Sequence, residues 1–222
     1  MSECEEKGKH SMRLVFLGAP GVGKGTQAKR LSKQYGVPQV ATGDILRSAI
    51  SKETVEGKEA KSYVDSGRLV PDELVIRIVR ARLLEDDMRG GFVLDGFPRT
   101  QEQADALSEM GVSIDRVLYF YLDEEILVSR IAGRRTCSKC SEIYNIYSHP
   151  PKVEGVCDLC GLSLVHRKDD NADVVKARLI VYQKETAPLI AYYEKQGCLS
   201  RIDANGSMEE VDRRLKDACL AI

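Results

Sequence analysis

The sequence predicts an α/β fold in which helices flank a parallel β-sheet. Three observations carry that prediction. Short apolar runs alternate with helix-forming stretches over most of the 222 residues, the rhythm of a parallel sheet with helical crossovers. A glycine-rich loop ending in lysine stands between the first apolar run and the helix after it, where a phosphate-binding loop belongs. The stretch Gly133 to Asn171 breaks the alternation and holds four of the seven cysteines, so a small insertion is expected outside the sheet.

In chain order, Met12 to Leu17 (MRLVFL) reads as a buried strand. Lys24 to Tyr35 are good helix formers, stopped by Gly36-Val37-Pro38. Helices are expected near Gly43 to Lys52 and Glu56 to Ser66, and Pro71 opens another to about Leu84, since proline in a first turn gives up no needed N–H. Phe92 to Leu94 is a second strand, leading to Asp95, with a helix around Gln101 to Met110 behind it. Arg116 to Leu122 (RVLYFYL) is a third strand and Asp123 to about Ala132 a helix. The insertion, with Pro150-Pro151 and scattered glycines, reads as loop-rich. A long helix is then expected from Ala172 past Pro188 to about Gln196, then a strand at Leu199 to Asp203 and a last helix from Ser207. Ser207-x-x-Glu210 has the spacing of a capping box.

Composition narrows the partners. The formal net charge is −1, which gives no ground for a nucleic-acid or membrane-surface partner, so any anion site must come from local arginine clusters. No apolar run approaches the roughly 18 residues of a membrane span. Residues 1–11 are polar and lack the apolar stretch of a signal peptide, so a disordered N-terminal extension and a cytoplasmic location are expected. In that compartment disulfides are disfavoured and clustered cysteines point to metal.

Gly18-Ala19-Pro20-Gly21-Val22-Gly23-Lys24-Gly25-Thr26 has the G-x-x-x-x-G-K frame. Glycines let successive N–H groups turn inward on phosphate oxygens, the following helix adds its positive end, and Lys24 a full charge. Gly25 stands where a hydroxyl residue usually binds magnesium, and the hydroxyl comes one residue later at Thr26. Asp95 ends an apolar strand, as does the acidic residue that orients magnesium in such proteins. Cys137-x2-Cys140 and Cys157-x2-Cys160 are separated by 16 residues, a spacing suited to one tetrahedral structural zinc; iron could take the same ligands. A polar insertion of this size has too small a core to hold itself together without such a staple. Cys4 lies in the tail with His10, and Cys198 and Cys219 read as small core residues. His149 and His166 lie near the cysteines, but four sulfurs already complete a shell.

Several segments together resemble the adenylate kinases. They are GAPGVGKGT at Gly18 to Thr26, TGDILR at Thr42 to Arg47, DGFPRT at Asp95 to Thr100, GRR at Gly133 to Arg135, RKDD at Arg167 to Asp170 and TAPLIAYY at Thr186 to Tyr193. Their order fits over nearly the whole chain from Met12, and the cysteines match the long-lid, zinc-containing members.

That resemblance implies a P-loop NTPase-type sheet carrying two added parts. The core would comprise residues 12–40, 71–133 and 172–222, with a helical monophosphate-binding part at 41–70 and a zinc-stapled lid at 134–171. It implies transfer of a phosphoryl group from ATP to AMP, giving ADP, with Mg2+ at the phosphates, structural Zn2+ in the lid and a monomeric protein. Relatives using GTP as donor, or another nucleoside monophosphate, remain the alternative. Gly21, Val22, Gly23, Lys24, Gly25 and Thr26, with Arg134, Ile143, Tyr144 and Gly206, would hold ATP. Thr42, Arg47, Arg68, Leu69, Val70, Gly96, Phe97, Pro98, Arg99 and Gln103, with Arg167 and Arg178, would hold AMP. Gln103 would read the adenine edge. Lys24, Asp95, Arg99, Arg134, Arg167 and Arg178 would carry the transfer. For Asp169 and Asp170 two readings stand: pairing with arginines, or capping the helix from Ala172.

Overall fold

The structure, a computed structural model, describes residues 12–220. The expected extension at 1–11, with Cys4 and His10, lies outside the described residues. Strand β1 (Met12–Gly18) leads through the glycine loop into α1 (Lys24–Tyr35), then β2 (Gln39–Ala41), α2 (Thr42–Ser51), α3 (Val55–Asp65) and α4 (Asp72–Leu83). A 3-10 turn at Asp86–Gly90 precedes β3 (Gly91–Asp95), α5 (Gln101–Glu109), β4 (Arg116–Tyr121) and α6 (Glu124–Ala132). Three short strands follow, β5 (Arg134–Cys137), β6 (Ile143–Asn145) and β7 (Leu164–Val165). The chain then forms α7 (Ala172–Val181), α8 (Pro188–Lys195), β8 (Leu199–Asp203) and α9 (Met208–Leu220).

The main sheet has the order β2-β3-β1-β4-β8 with every pair parallel. A parallel sheet is covered on both faces, so its central strand reads as unbroken apolar sequence. Leu14 to Leu17 of β1 are all buried, and successive side chains point to opposite faces. Leu14 and Phe16 pack with Ala28 and Leu31 of α1, Ile131 of α6, Leu179 of α7 and Leu215 of α9. Val15 and Leu17 pack with Leu74 and Val79 of α4, Leu107 of α5 and Leu189 of α8. Strands β1 and β3 lie side by side in register Phe16↔Asp95. The glycine loop and Asp95 therefore leave the same carboxyl edge, where open α/β sheets bind ligands.

Three features depart from the sequence-based expectation. Strand β2 was not expected; its three residues extend directly after Pro38 and pair with β3 from Gln39↔Val93. The insertion is not merely loop: β5, β6 and β7 form an antiparallel sheet in the order β6-β5-β7. The long helix through Pro188 is not one regular α-helix. It passes through a π-helical turn at Tyr182–Thr186, in which the Ala187 N–H donates to Tyr182 O at 2.8 Å, and α8 restarts with Pro188 in its first turn. Proline has no N–H and its ring crowds the preceding turn of an α-helix, and the wider turn is how a helix absorbs such a residue.

Candidate nucleotide site and metal centre

The glycine loop is shaped by residues that only glycine can occupy. Gly21 has φ +84, and a Cβ there would lie 2.5 Å from Ile131 Cγ1. Gly23, also at positive φ, directly precedes α1, so the N-terminal N–H groups of α1 face the loop. The Lys24 ammonium donates to Gly18 O at 2.6 Å and Ala19 O at 3.0 Å. Burial brings its pKa down to about 8, with Asp95 opposing and Arg99, Arg178 and Arg134 adding to the fall. Asp95, at the end of β3, accepts from Gln39 Nε2 at 3.1 Å. Burial raises its pKa, and the charge of Lys24 works against that rise.

Gly25 is explained by the same carboxylate. A Cβ at 25 would stand 3.2 Å from Asp95 Oδ2 and 3.5 Å from Ile143 Cδ1, so any side chain there presses on Asp95. Thr26, one residue on, lines the cavity described next. Gly25→Val is expected to lower kcat at saturating substrates by about tenfold or more, because small displacements of positioned groups are costly to transfer. Steady-state kinetics beside a melting curve checks it; unchanged kcat would mean the room beside Asp95 is not used.

The loop opens on a cavity of about 480 Å³, within the range of about 300–1,000 Å³ typical of small-molecule sites. Gly21 to Thr26 form one wall; Asp95, Pro98, Arg134, Ile143, Tyr144, Arg167 and Gly206 also line it. A second cavity of about 60 Å³ is lined by Thr42, Arg68, Leu69, Val70, Gly96 and Gln103. Arg47, Arg99 and Arg178 line both. The structure thus brings together nearly every residue singled out in the sequence.

Carboxylates organise the arginines. Arg134 grips Asp170 with two nitrogens, Nε donating to Oδ2 at 2.8 Å and Nη2 to Oδ1, a planar fork on a carboxylate. Arg178 Nη1 donates to Asp169 Oδ2 at 3.0 Å and Asp170 Oδ1 at 3.4 Å. Arg47 lies 3.7 Å from Asp169 and donates to Asp44 at 2.5 Å, and Asp44 is 3.6 Å from Arg167. Arg99 Nε donates to Gly96 O at 2.8 Å. Of the two readings of Asp169 and Asp170, pairing holds; the cap of α7 is Asn171, which accepts from Val174 N at 3.0 Å. Cations still outnumber carboxylates here. Burial, then neighbouring cations, brings the Arg167 and Arg178 pKa values down to about 10, the mark of a site suited to anions.

Two predicted residues sit differently from the rest. Phe97 is fully buried in the core with Leu94 and Leu107, and its side chain forms neither cavity wall; the Phe97–Pro98 peptide is cis. Tyr144 reaches the cavity, but its hydroxyl accepts from Asp158 N at 2.9 Å and lies 3.7 Å from Cys157 Sγ. Its polar tip therefore belongs to the cysteine cluster. Arg130 was missed. It lines the larger cavity and donates to Val22 O at 3.4 Å and Ala204 O at 3.1 Å; the only signal was its place ahead of Gly133-Arg134-Arg135. Asp44 was overlooked inside TGDILR.

Cys137, Cys140, Cys157 and Cys160 bring their sulfurs within 4.8 Å of one another, with 3.3 Å between 137 and 160 and 3.5 Å between 140 and 157. A disulfide would need about 2.05 Å. Four sulfurs around one tetrahedral ion at about 2.3 Å would be separated by about 3.8 Å, so the cluster fits a closed metal shell. Burial opposes ionisation of Cys137 and Cys157, but backbone N–H groups outweigh it and favour their thiolates, the form that binds metal.

Comparison with known proteins agrees with this geometry. The family model described as adenylate kinase matches residues 16–198. The chain is 51% identical to the adenylate kinase of Thermodesulfovibrio yellowstonii over 204 residues, covering 90% of this chain and 95% of that protein. It is 50% identical to that of Fervidobacterium nodosum, covering 90% and 94%, and 47% identical to that of Clostridium kluyveri over 215 residues, covering 95% and 99%. A phosphate loop and an arginine cluster shared by two cavities, joined to likeness over nearly its whole length, make this chain a member of the adenylate kinase family.

Proposed function

We propose that the chain reversibly moves the terminal phosphoryl group of ATP to AMP, forming two molecules of ADP. The observation that carries this reading is that Arg47, Arg99 and Arg178 line both cavities, so two phosphorylated ligands would meet across one arginine cluster. The larger cavity takes ATP, with its phosphates on the Gly21 to Thr26 backbone and on Lys24 and Arg134. The smaller takes AMP, with Arg47 and Arg99 on its phosphate and Thr42, Arg68 to Val70 and Gln103 around its nucleoside. Gly96 and Pro98 shape the AMP side, and Arg167 and Arg178 close over the phosphates between.

Phosphoryl transfer asks for in-line positioning and offset charge more than for covalent help. The attacking oxygen belongs to an AMP phosphate already ionised near neutral pH, so no general base is required. Arginine forks hold both phosphate ends and keep their charge throughout. Asp95 would hold magnesium or its waters, which would supply further positive charge to the ATP phosphates. Residues 134–171 act as a lid that excludes water, 41–70 as the monophosphate-binding part, and the remainder from residue 12 as the core. The cysteine cluster holds structural zinc and takes no part in the transfer. The protein works as a monomer in the cytoplasm; among the described residues no helix is long and apolar enough to cross a membrane.

A donor and acceptor panel tests the substrate assignment. ATP with AMP is expected to give the highest kcat/KM, and a preference for GTP, or for UMP or CMP, would replace it. Lys24 adds a pH dependence. Its folded pKa of about 8 is depressed by burial, so the free protein loses this charge as pH rises through 8. The expected result is an ATP kcat/KM that falls about tenfold per pH unit at most above pH 8, with kcat flatter because bound phosphate retains the proton. An ATP kcat/KM independent of pH between 7 and 9.5 would deny Lys24 that role.

A further inference from the structure

We propose that Asp72 is a specificity-determining positioning residue, which fixes the orientation of the Gln103 amide so that the AMP site accepts adenine in preference to hypoxanthine. The inference rests on the reading of Gln103 as the residue facing the acceptor base.

Gln103 lines the smaller cavity and is 1% exposed. Its Nε2 donates to Asp72 Oδ1 at 2.6 Å, and its Oε1 accepts from the Arg99 backbone N–H at 2.8 Å. A carboxylate can only accept and a backbone N–H can only donate, so the two partners together allow one amide orientation. A glutamine amide has two N–H groups and two oxygen lone pairs. One of each is taken, which leaves one donor and one acceptor for the cavity. Adenine offers the complement, a ring nitrogen that accepts beside an amine that donates. Hypoxanthine offers the reverse, a ring N–H beside a carbonyl, and would need the amide turned over.

Asp72 has a plainer role open to it, as an acidic residue in the first turn of α4, where the helix dipole favours negative charge. Its oxygens are engaged elsewhere. Oδ1 takes Gln103, and Oδ2 accepts from Thr100 Oγ1 at 2.8 Å. Thr100 in turn caps α5 by accepting from Gln103 N at 3.2 Å, so Asp72 ties both the side chain and the helix end that carries it.

The test is Asp72→Asn, assayed with AMP and with IMP as acceptor at saturating ATP. Asparagine keeps the size of the side chain but has one oxygen where aspartate has two, so Thr100 and Gln103 no longer each donate to an oxygen of their own. A site that leaves buried polar groups unpaired loses discrimination. The expected result is an AMP KM raised about tenfold and an AMP-over-IMP preference in kcat/KM reduced about tenfold, with kcat for AMP within about threefold and the ATP KM unchanged. Because the preference is a ratio within one preparation, loss of folded protein does not move it. In a Gln103→Ala background, Asp72→Asn is expected to change the preference no further. Wild-type preference in Asp72→Asn, or an equal loss in both backgrounds, would overturn the role of Asp72 alone. Gln103→Ala with AMP KM and preference unchanged would instead overturn the reading of Gln103 on which it rests.

Discussion

Replacing Arg178 by alanine is expected to lower kcat by about 10³-fold, the scale on which a single charge-stabilising group acts in phosphoryl and acyl transfer. The size follows from its place. Arg178 lines both cavities and projects from α7 toward Asp169 and Asp170, so its loss removes positive charge where the two phosphate chains would meet. The carboxylates it leaves behind keep partners, Asp170 with Arg134 and Asp169 with Arg47. The fold should therefore survive and the thermal midpoint change little. Arg178→Lys is expected to recover only part of the rate, since lysine restores the charge without the planar fork. Initial rates with both substrates saturating, beside a melting curve, separate these outcomes. A kcat within tenfold of the parent would show that Arg178 serves the AMP phosphate's binding and not the transfer.

Stripping the metal, or replacing Cys157 by serine, is expected to give the second large effect, confined at first to residues 134–171. The apolar cluster there consists of the cysteines with Tyr144 and Leu164, and Leu159, Tyr147 and Val153 are exposed. Packing on that scale cannot hold three short strands, whereas metal binding at such a site is worth about 10–16 kcal/mol. Limited proteolysis should cut first within the insertion after metal removal, while AMP binding by the rest of the chain persists. ATP turnover should fall with the insertion's order, because Arg134, Ile143, Tyr144 and Arg167 all come from it or its edge. Protease resistance and activity that both survive complete metal removal would refute the staple.

Much of this was legible in the sequence because the decisive residues carry their own local signals. Leu14 to Leu17 read as a strand because both faces of β1 are covered. The phosphate loop reads from glycine spacing, and the four-cysteine cluster from two short cysteine pairs. What was hidden depends on partners distant in sequence. Strand β2 exists because Gln39 to Ala41 find β3, some fifty residues on; three residues carry no period of their own. The π-turn before Pro188 was read through because its neighbours form helix so readily. Asp169 and Asp170 could not be assigned from spacing, since a carboxylate ahead of a helix looks like a cap until Arg134 and Arg178 are seen on it. Asp72 was concealed in the same way, as one more acid in a first helical turn. Phe97 differs in the opposite way: it stands in a motif whose other members face the cavities, while its own side chain turns into the core.

In the proposed reaction, two cavities sharing one arginine cluster pass a phosphoryl group between nucleotides and keep it from water. The most direct test follows ATP, ADP and inorganic phosphate together in the presence of magnesium, with and without AMP. The expected result is two ADP formed for each ATP consumed, only when AMP is present, with no phosphate released. Phosphate release without AMP, or ATP consumption that AMP does not stimulate, would contradict it.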